Sequence, residues 1–296
     1  MKTVDTVQAL RAELAPARRR GETIGLVPTM GALHAGHLSL IAAARRRCDV
    51  VVVSLFVNPT QFNDPTDLTA YPRDAARDAG LAAAEGADLL FAPTVEEVYP
   101  DGFATTVSVS ELTEGLEGAG RGPGHFDGVT TVVTKLFNMA MPDVAFFGQK
   151  DAQQALVIRR MVRDLNMPVR IEVRPTVRDS DGLALSSRNA LLSPAQREQA
   201  TALSRALAVV GEGIQAGGRD AGQLLAPARA ELERNGLSPE YLELVAPDTL
   251  EPVTTVTGEV LAVIAARVGT TRLIDNFLIH PVAAAASAVA DRDERP

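Results

Sequence analysis

An α/β chain is expected, with a doubly wound, Rossmann-like parallel sheet followed by a smaller C-terminal α+β domain. Three observations support this. Short apolar runs alternate with helical patterns through the first half of the chain. One of those runs, Asp49–Val57, is almost continuously apolar and β-branched, as a strand covered on both faces requires. After about residue 187 the order changes, and two helical stretches precede three strand-like ones. Alternation implies parallel pairing, because a helix must carry the chain back before the next strand can run the same way.

Taken in order, Ile24–Pro28 reads as a strand. Leu38–Arg45 reads as a helix with apolar residues at 38, 41, 42 and 44. Asp49–Val57 is the next strand. Arg73–Glu85 is helical, Asp88–Pro93 a strand and Thr105–Ser110 a short strand. Val129–Ala140 is a helix and Val144–Gly148 a strand. Asp151–Leu165 is a helix with Leu156, Ile158, Met161, Val162 and Leu165 inward or nearly so, and Val169–Arg174 is the last strand of this half. Pro194–Gln215 and Asp220–Asn235 then read as helices, and Tyr241–Val245, Glu259–Arg267 and Thr271–Leu278 as strands. The expected division is a domain over 1–186, a smaller one over 187–283, and a loose tail over 284–296.

The chain has 296 residues, enough for one large or two ordinary domains. Its 46% hydrophobic and 22% charged content are those of a globular protein. A net charge of −8 argues against extensive nucleic-acid binding, which needs Lys and Arg to neutralise phosphates. No apolar run is long enough to span a bilayer, and Met1–Asp5 lacks the basic-then-apolar start of a secretion signal. A cytoplasmic location is the default, with no membrane partner. The single cysteine, Cys48, excludes an intramolecular disulfide and is expected to be a buried structural thiol.

Two segments carry chemistry. The first is Met30-Gly-Ala-Leu-His-Ala-Gly-His37, where a strand turns into a helix. Residues three apart share a helix face, so His34 and His37 project together at the helix entrance. Free N–H groups and the positive dipole end gather there and favour anions. Gly36 leaves room for a phosphate to approach the backbone. The second is Asp181-Gly-Leu-Ala-Leu-Ser-Ser-Arg-Asn189, which offers two hydroxyls and a guanidinium in a loop between the domains. These donate to phosphate, and Arg does so bidentately. Taken singly, the first segment also fits a capped helix with surface histidines, and the second an exposed linker. Together they fit a triphosphate held between a helix entrance and a closing loop.

The strand–HxGH–helix pattern resembles the nucleotidyltransferase superfamily that includes class I aminoacyl-tRNA synthetases. Leu185-Ser-Ser-Arg188 resembles its KMSKS-type loop, with Arg188 where lysine is frequent. Five motifs in order are similar to those of the pantothenate synthetase (pantoate–β-alanine ligase) family. They are Pro28–His37, Asn58-Pro-Thr-Gln-Phe62, Gly124-His-Phe-Asp-Gly128, Phe147-Gly-Gln-Lys-Asp151 and Leu185–Asn189. The resemblance covers residues 24 to 189, and Leu185 stands where methionine is common.

The resemblance implies a HUP-type fold and an AMP-forming acid–amine ligase. Pantoate carboxylate would attack the α-phosphorus of ATP, giving pantoyl adenylate and pyrophosphate. The β-alanine amine would then attack the acyl carbon and release AMP. His37, as proton donor, His34 and Lys150 are the implied catalytic residues. The implied ATP site comprises Met30, Gly31, Ala32, Leu33, His34, Ala35, Gly36 and His37. It continues through Gly148, Gln149, Lys150, Asp151, Val177, Leu185, Ser186, Ser187 and Arg188. Asp151 has a ribose hydroxyl as an alternative partner. Gln61 and Gln154 correspond to pantoate contacts, and Gln61 also borders β-alanine. Asn58 is a weaker candidate for orienting substrate. Mg²⁺ is expected with ATP, and a homodimer is implied by the family alone.

Other polar residues have structural readings. Asp127 is expected to cap a helix beginning at Gly128, with His125 structural beside it. Asp179 and Asp181 read as turn formers, and no metal ligand is assigned to Asp74 or Asp78. Arg18–Arg20 and Arg45–Arg47 suit helix C-termini. The rival readings are another HxGH nucleotidyltransferase, such as a cytidylyltransferase or a tRNA synthetase fragment, and a non-catalytic nucleotide-binding protein. No Walker loop, dinucleotide glycine fingerprint or zinc-type Cys/His cluster supports different chemistry.

Overall fold

The computed structural model describes residues 1–63, 65–122 and 124–281. The chain begins with β1 (Lys2–Val4), α1 (Val7–Arg19), β2 (Ile24–Thr29), α2 (Ala35–Arg47) and β3 (Val50–Leu55). It continues with α3 (Pro65–Ala70), α4 (Ala75–Ala84), β4 (Leu89–Phe91), α5 (Val95–Val98), α6 (Glu117–Arg121) and α7 (His125–Ala140). Next come β5 (Val144–Gly148), α8 (Ala152–Asp164) and β6 (Arg170–Arg174). The C-terminal part is α9 (Pro194–Ala200), α10 (Ala202–Gln215), α11 (Ala221–Arg234), β7 (Pro239–Val245), β8 (Val260–Val268) and β9 (Thr271–Ile279).

The first sheet has six parallel strands in the order β1-β4-β3-β2-β5-β6. The chain moves outward from β2 through β3 to β4, then returns to place β5 on the other side of β2. The strand order therefore reverses between β2 and β5. At such a point the loops leaving two neighbouring strands part to opposite faces and open a crevice at their carboxyl ends.

Side-chain alternation builds a core on each face. Leu26, Val52, Ala145 and Phe147 pack with Val129, Val133, Phe137 and Ile158. Val27, Val51, Val53, Val144 and Phe146 pack on the other side with Ile41, Ala44 and Ala82. Cys48 is buried in this second core, and burial raises its thiol pKa. A Cβ on Gly25 would lie 2.8 Å from the Cys48 sulfur, so glycine lets strand and thiol pack closely.

The second sheet is antiparallel, β7-β8-β9. One face is covered by α10 and α11 through Leu203, Leu207, Val210, Leu224 and Leu232. On the other, Val245, Leu261 and Val263 pack with Leu116 and Ala152 of the first part.

Most expected elements lie close to their predicted ends, but three differ. Thr105–Ser110 forms no strand: Val107 N–H donates to Thr131 Oγ1 at 3.0 Å and the Val107 carbonyl accepts from Thr130. Helix α7 thus satisfies the backbone that a sheet neighbour would have satisfied. The helix expected over Pro194–Gln215 breaks at Thr201, which ends α9 and begins α10. α7 starts at His125, ahead of the expected Val129, with Gly124 at its cap in the left-handed conformation. Asp127 therefore lies in the first turn and makes no cap hydrogen bond, which corrects its expected role. α1, α3, α5, α6 and β1 lie outside the expected set, and the short ones carry too little pattern to read. The tail expected over 284–296 lies outside the described residues.

Candidate active site

β2 delivers Met30–His37 to the crevice, and the turn there is strained. Gly31 has φ +89° and Ala32 φ +51°. Asp78, 1% exposed on α4, holds the turn by accepting from Ala32 N and Leu33 N, each at 2.8 Å. These amides are thereby withdrawn from ligand binding. Leu33 is buried in the core and Ala35 is exposed, and neither lines the cleft.

His34 caps α2: its Nδ1 accepts from Gly36 N at 3.2 Å. His37 reaches back, and its Nδ1 accepts from His34 N at 3.4 Å. Each Nδ1 is an acceptor, so each neutral ring carries its proton on Nε2. Burial, then the Lys150 charge, pushes the His34 pKa down to about 4. Burial, then His34, pushes that of His37 down to about 3. At neutral pH the pair is therefore two neutral Nε2–H donors, with ring centroids 4.1 Å apart. A Cβ at Gly36 would lie 2.8 Å from His34 Cε1 and 2.9 Å from Nδ1. Glycine is needed there to seat the capping imidazole.

The cleft, about 260 Å³, is lined by Met30, His34, Gly36, His37, Gln61, Gly148, Lys150, Asp151, Gln154, Val177 and Leu185–Arg188. Lys150 and Asp151 follow β5, 3.5 Å apart. Burial alone would raise the Asp151 pKa, but Lys150, Arg121 and Arg188 bring it below the usual carboxylate range. Gln149 turns away from the cleft, with Nε2 3.3 Å from Asn276 Oδ1 on β9. Asn276 Nδ2 donates to the carbonyls of Gln149 and Lys150, both at 2.9 Å.

Residues 177–185 form a tight hairpin, with Leu185 N donating to the Val177 carbonyl at 3.0 Å and Arg178 bridged to Ala184. Arg178 is clamped by Asp275 at 2.6 and 2.8 Å. Asp181 Oδ1 accepts from Leu183 N at 3.1 Å, and Arg197 sits 2.6 Å from Asp179 and 2.9 Å from Asp181. Both carboxylates are thus engaged within the protein. Ser186 caps the short helical turn 187–191, and Arg188 reaches Asp67 on α3 at 3.1 Å.

Opposite the histidines, Asn58 is buried and saturated. Its Nδ2 donates to Gln61 Oε1 and the Gly128 carbonyl, both at 3.1 Å, and its Oδ1 accepts from Thr60 and Tyr99. Gln154 lines the cleft, whereas neighbouring Gln153 is structural and donates to the Leu112 and Gly115 carbonyls. Sequence reasoning missed Asp67, Tyr71, Glu117 and Arg121, which also line the wall. Glu117 accepts from Arg121 at 2.8 Å, Tyr241 at 2.8 Å and Arg272 at 2.7 Å, tying α6 to the second sheet. Burial would raise the Glu117 pKa, but Arg272 and Arg121 hold it at about 2. Only the i,i+4 spacing of Glu117 and Arg121 was visible beforehand.

The chain is similar to known proteins along nearly its whole length. The family model for pantoate–β-alanine ligase matches residues 2–278. The pantothenate synthetase of Moorella thermoacetica is 55% identical over 95% of this chain and 99% of its own length. That of Pseudomonas aeruginosa is 54% identical over 95% and 99%. The crystal structure of the Thermus thermophilus enzyme superposes with a TM-score of 0.90 at 49% identity, covering 95% of this chain and 100% of that one. The Francisella tularensis ligase, solved with βγ ATP and β-alanine, gives 0.79 at 35% identity, covering 94% and 97%. With both cleft-forming motifs in place at the β2–β5 reversal, the chain belongs to the pantoate–β-alanine ligase family.

Proposed function

We infer that this chain is a ligase that condenses pantoate with β-alanine, using ATP and releasing AMP and pyrophosphate. One observation carries the reading: two neutral imidazole donors, Lys150 and Ser186–Arg188 surround a single cleft at the strand-order reversal. That is a site for charge developing on phosphate oxygens.

In the first step the pantoate carboxylate attacks the α-phosphorus and needs no strong base. The Nε2–H groups of His34 and His37 donate to the phosphate oxygens, and Lys150 adds a point charge. His37 acts as a neutral hydrogen-bond donor, since its low pKa keeps the imidazolium form scarce. Ser186, Ser187 and Arg188 hold the departing pyrophosphate, and Arg188 exchanges Asp67 for it. Met30, Gly36, Gly148, Asp151, Val177 and Leu185 border the nucleotide. Gly31, Ala32, Leu33, Ala35 and Gln149 act behind them by shaping the turns. Gln61 and Gln154 contact pantoate, and Gln61 borders β-alanine, whose amine displaces AMP from the acyl carbon in the second step.

Among the described residues no three His, Cys, Asp or Glu side chains cluster as a metal site. This donor set fits a Mg²⁺ that enters on ATP and is held by phosphate oxygens and water. Its chemistry is charge neutralisation of the triphosphate. Residues 1–186 form the nucleotide- and pantoate-binding part of this reading, and 187–283 the lid. No helix among the described residues is long and apolar enough to cross a membrane. A cytoplasmic homodimer completes the proposal, and light scattering after size-exclusion chromatography tests the pairing.

The decisive experiment incubates protein, Mg-ATP and pantoate without β-alanine. Mass spectrometry is expected to find enzyme-held pantoyl adenylate. Pyrophosphate release with no acyl adenylate would overturn the mechanism.

A further inference from the structure

His125 is 9% exposed and forms part of the cleft wall, edge-on to Phe126. Its Nδ1 lies 2.8 Å from the Gln61 carbonyl oxygen. A carbonyl oxygen only accepts, so Nδ1 carries the hydrogen. Burial, then the Arg121 charge, pushes the pKa down to about 4, and at neutral pH the ring holds that one proton alone. Nε2 is consequently a bare lone pair. Among the described residues it has no protein partner, and it is not sealed away from the cleft.

Gln61 is fixed in the complementary sense. Asn58 Oδ1 accepts from Tyr99 Oη at 2.8 Å and Thr60 Oγ1 at 3.0 Å, so Asn58 must point its Nδ2 at Gln61. That Nδ2 donates to Gln61 Oε1, and the Gln61 amide N–H groups are left for the cleft. An acceptor and a donor, anchored to each other, thus border one space. A hydroxyl satisfies both. A carboxylate brings no proton for Nε2, and an ammonium brings no acceptor for the amide.

We propose that His125 determines specificity: its Nε2 accepts the proton of a hydroxyl on the acid substrate while the Gln61 amide donates to that hydroxyl's oxygen. The proposal rests on reading this cleft as the pantoate site. It assigns the pair to recognition of a hydroxy acid against the same acid lacking the hydroxyl.

The test uses two variants and three acids. His125→Asn keeps a side-chain N–H near the position of Nδ1 and removes the acceptor at Nε2; His125→Gln does the reverse. The acids are pantoate and its 2-deoxy and 4-deoxy analogues, and kcat/KM is read from pyrophosphate release. Wild type is expected to prefer pantoate over one analogue by about 100-fold or more, since an unpaired buried polar group alone costs up to that factor. His125→Asn is expected to lower that preference about tenfold or more by slowing pantoate alone, with KM for ATP unchanged. His125→Gln is expected to keep the preference and lose thermal stability. An Asn variant with the full preference, or one that slows all three acids alike, overturns the proposal. So does a Gln variant that loses the preference, should the Asn variant fail to fold. A wild-type protein that leaves pantoate unused overturns the functional reading instead, a separate result.

Discussion

Replacing Asp78 by Asn tests how the Met30–His37 turn is held. The carboxylate is 1% exposed and accepts two backbone amides at 2.8 Å, from Ala32 and Leu33. Asn keeps one acceptor oxygen but aims an NH₂ at the other amide, so one charge-assisted bond is lost and a buried N–H is orphaned. Hydrogen bonds to charged groups contribute roughly 1.5–3 kcal/mol, and an unsatisfied buried donor costs about 1–3 kcal/mol. The expected loss is about 3–4 kcal/mol, a large share of a typical stability of roughly 5–15 kcal/mol. For a chain this size that lowers Tm on the order of 10 °C. The same change releases the left-handed Ala32, so KM for ATP is expected to rise. Asp74→Ala on the same helix is the control, because Asp74 only caps α4 through Arg77 N at 3.0 Å. That cap contributes about 1 kcal/mol. Calorimetry on both variants is decisive. If Asp78→Asn loses no more stability than Asp74→Ala, the turn does not depend on that carboxylate.

Gly36→Ala is expected to cut kcat/KM by about 100-fold, the scale of a misplaced catalytic group, because its Cβ would lie 2.8 Å from the His34 ring. Thermal stability should change little, and an active Ala variant with its imidazoles in place would refute the steric account. Acid should destabilise the protein through its histidines, since His34, His37 and His125 have pKa values of about 4, 3 and 4 when folded against an ordinary 6.5. The unfolded chain binds more protons between those limits, so their contribution is complete above about pH 6.5 and declines as pH falls toward 3. Urea midpoints measured across that range should fall, and a smaller decline in His37→Asn would locate part of the effect. Glu117→Gln leaves Arg121 and Arg272 without their carboxylate and is expected to destabilise by about 3–5 kcal/mol. An unchanged denaturation midpoint would show that the buried network is not needed to tie α6 to the second sheet.

The parallel sheet was legible because β2, β3 and β5 are short, apolar on both faces and separated by helical spacing. The imidazole pair was legible because a strand–turn–helix boundary fixes where positions 34 and 37 project. The support behind them was not. Asp78 acts on backbone amides 45 and 46 residues upstream, and backbone donors leave no trace in side-chain pattern. Glu117 meets Tyr241 and Arg272 across separations of 124 and 155 residues, set only by the packing of the second sheet against α6. The run Thr105–Ser110 has strand composition but finds its partners on a helix, a tertiary choice that local propensity does not encode. His125 stood in a recognisable motif, yet its proton's position depends on a carbonyl 64 residues away.

The amide of Asn276 donates to the carbonyls of Gln149 and Lys150, the two successive peptide units that flank the Lys150 α-carbon. A residue of β9 therefore holds the backbone from which the Lys150 ammonium enters the cleft. A displacement of the antiparallel sheet would therefore be passed straight to the backbone that carries that lysine. Grafting or swapping the C-terminal module would thus alter the seat of Lys150 even with every cleft side chain left in place.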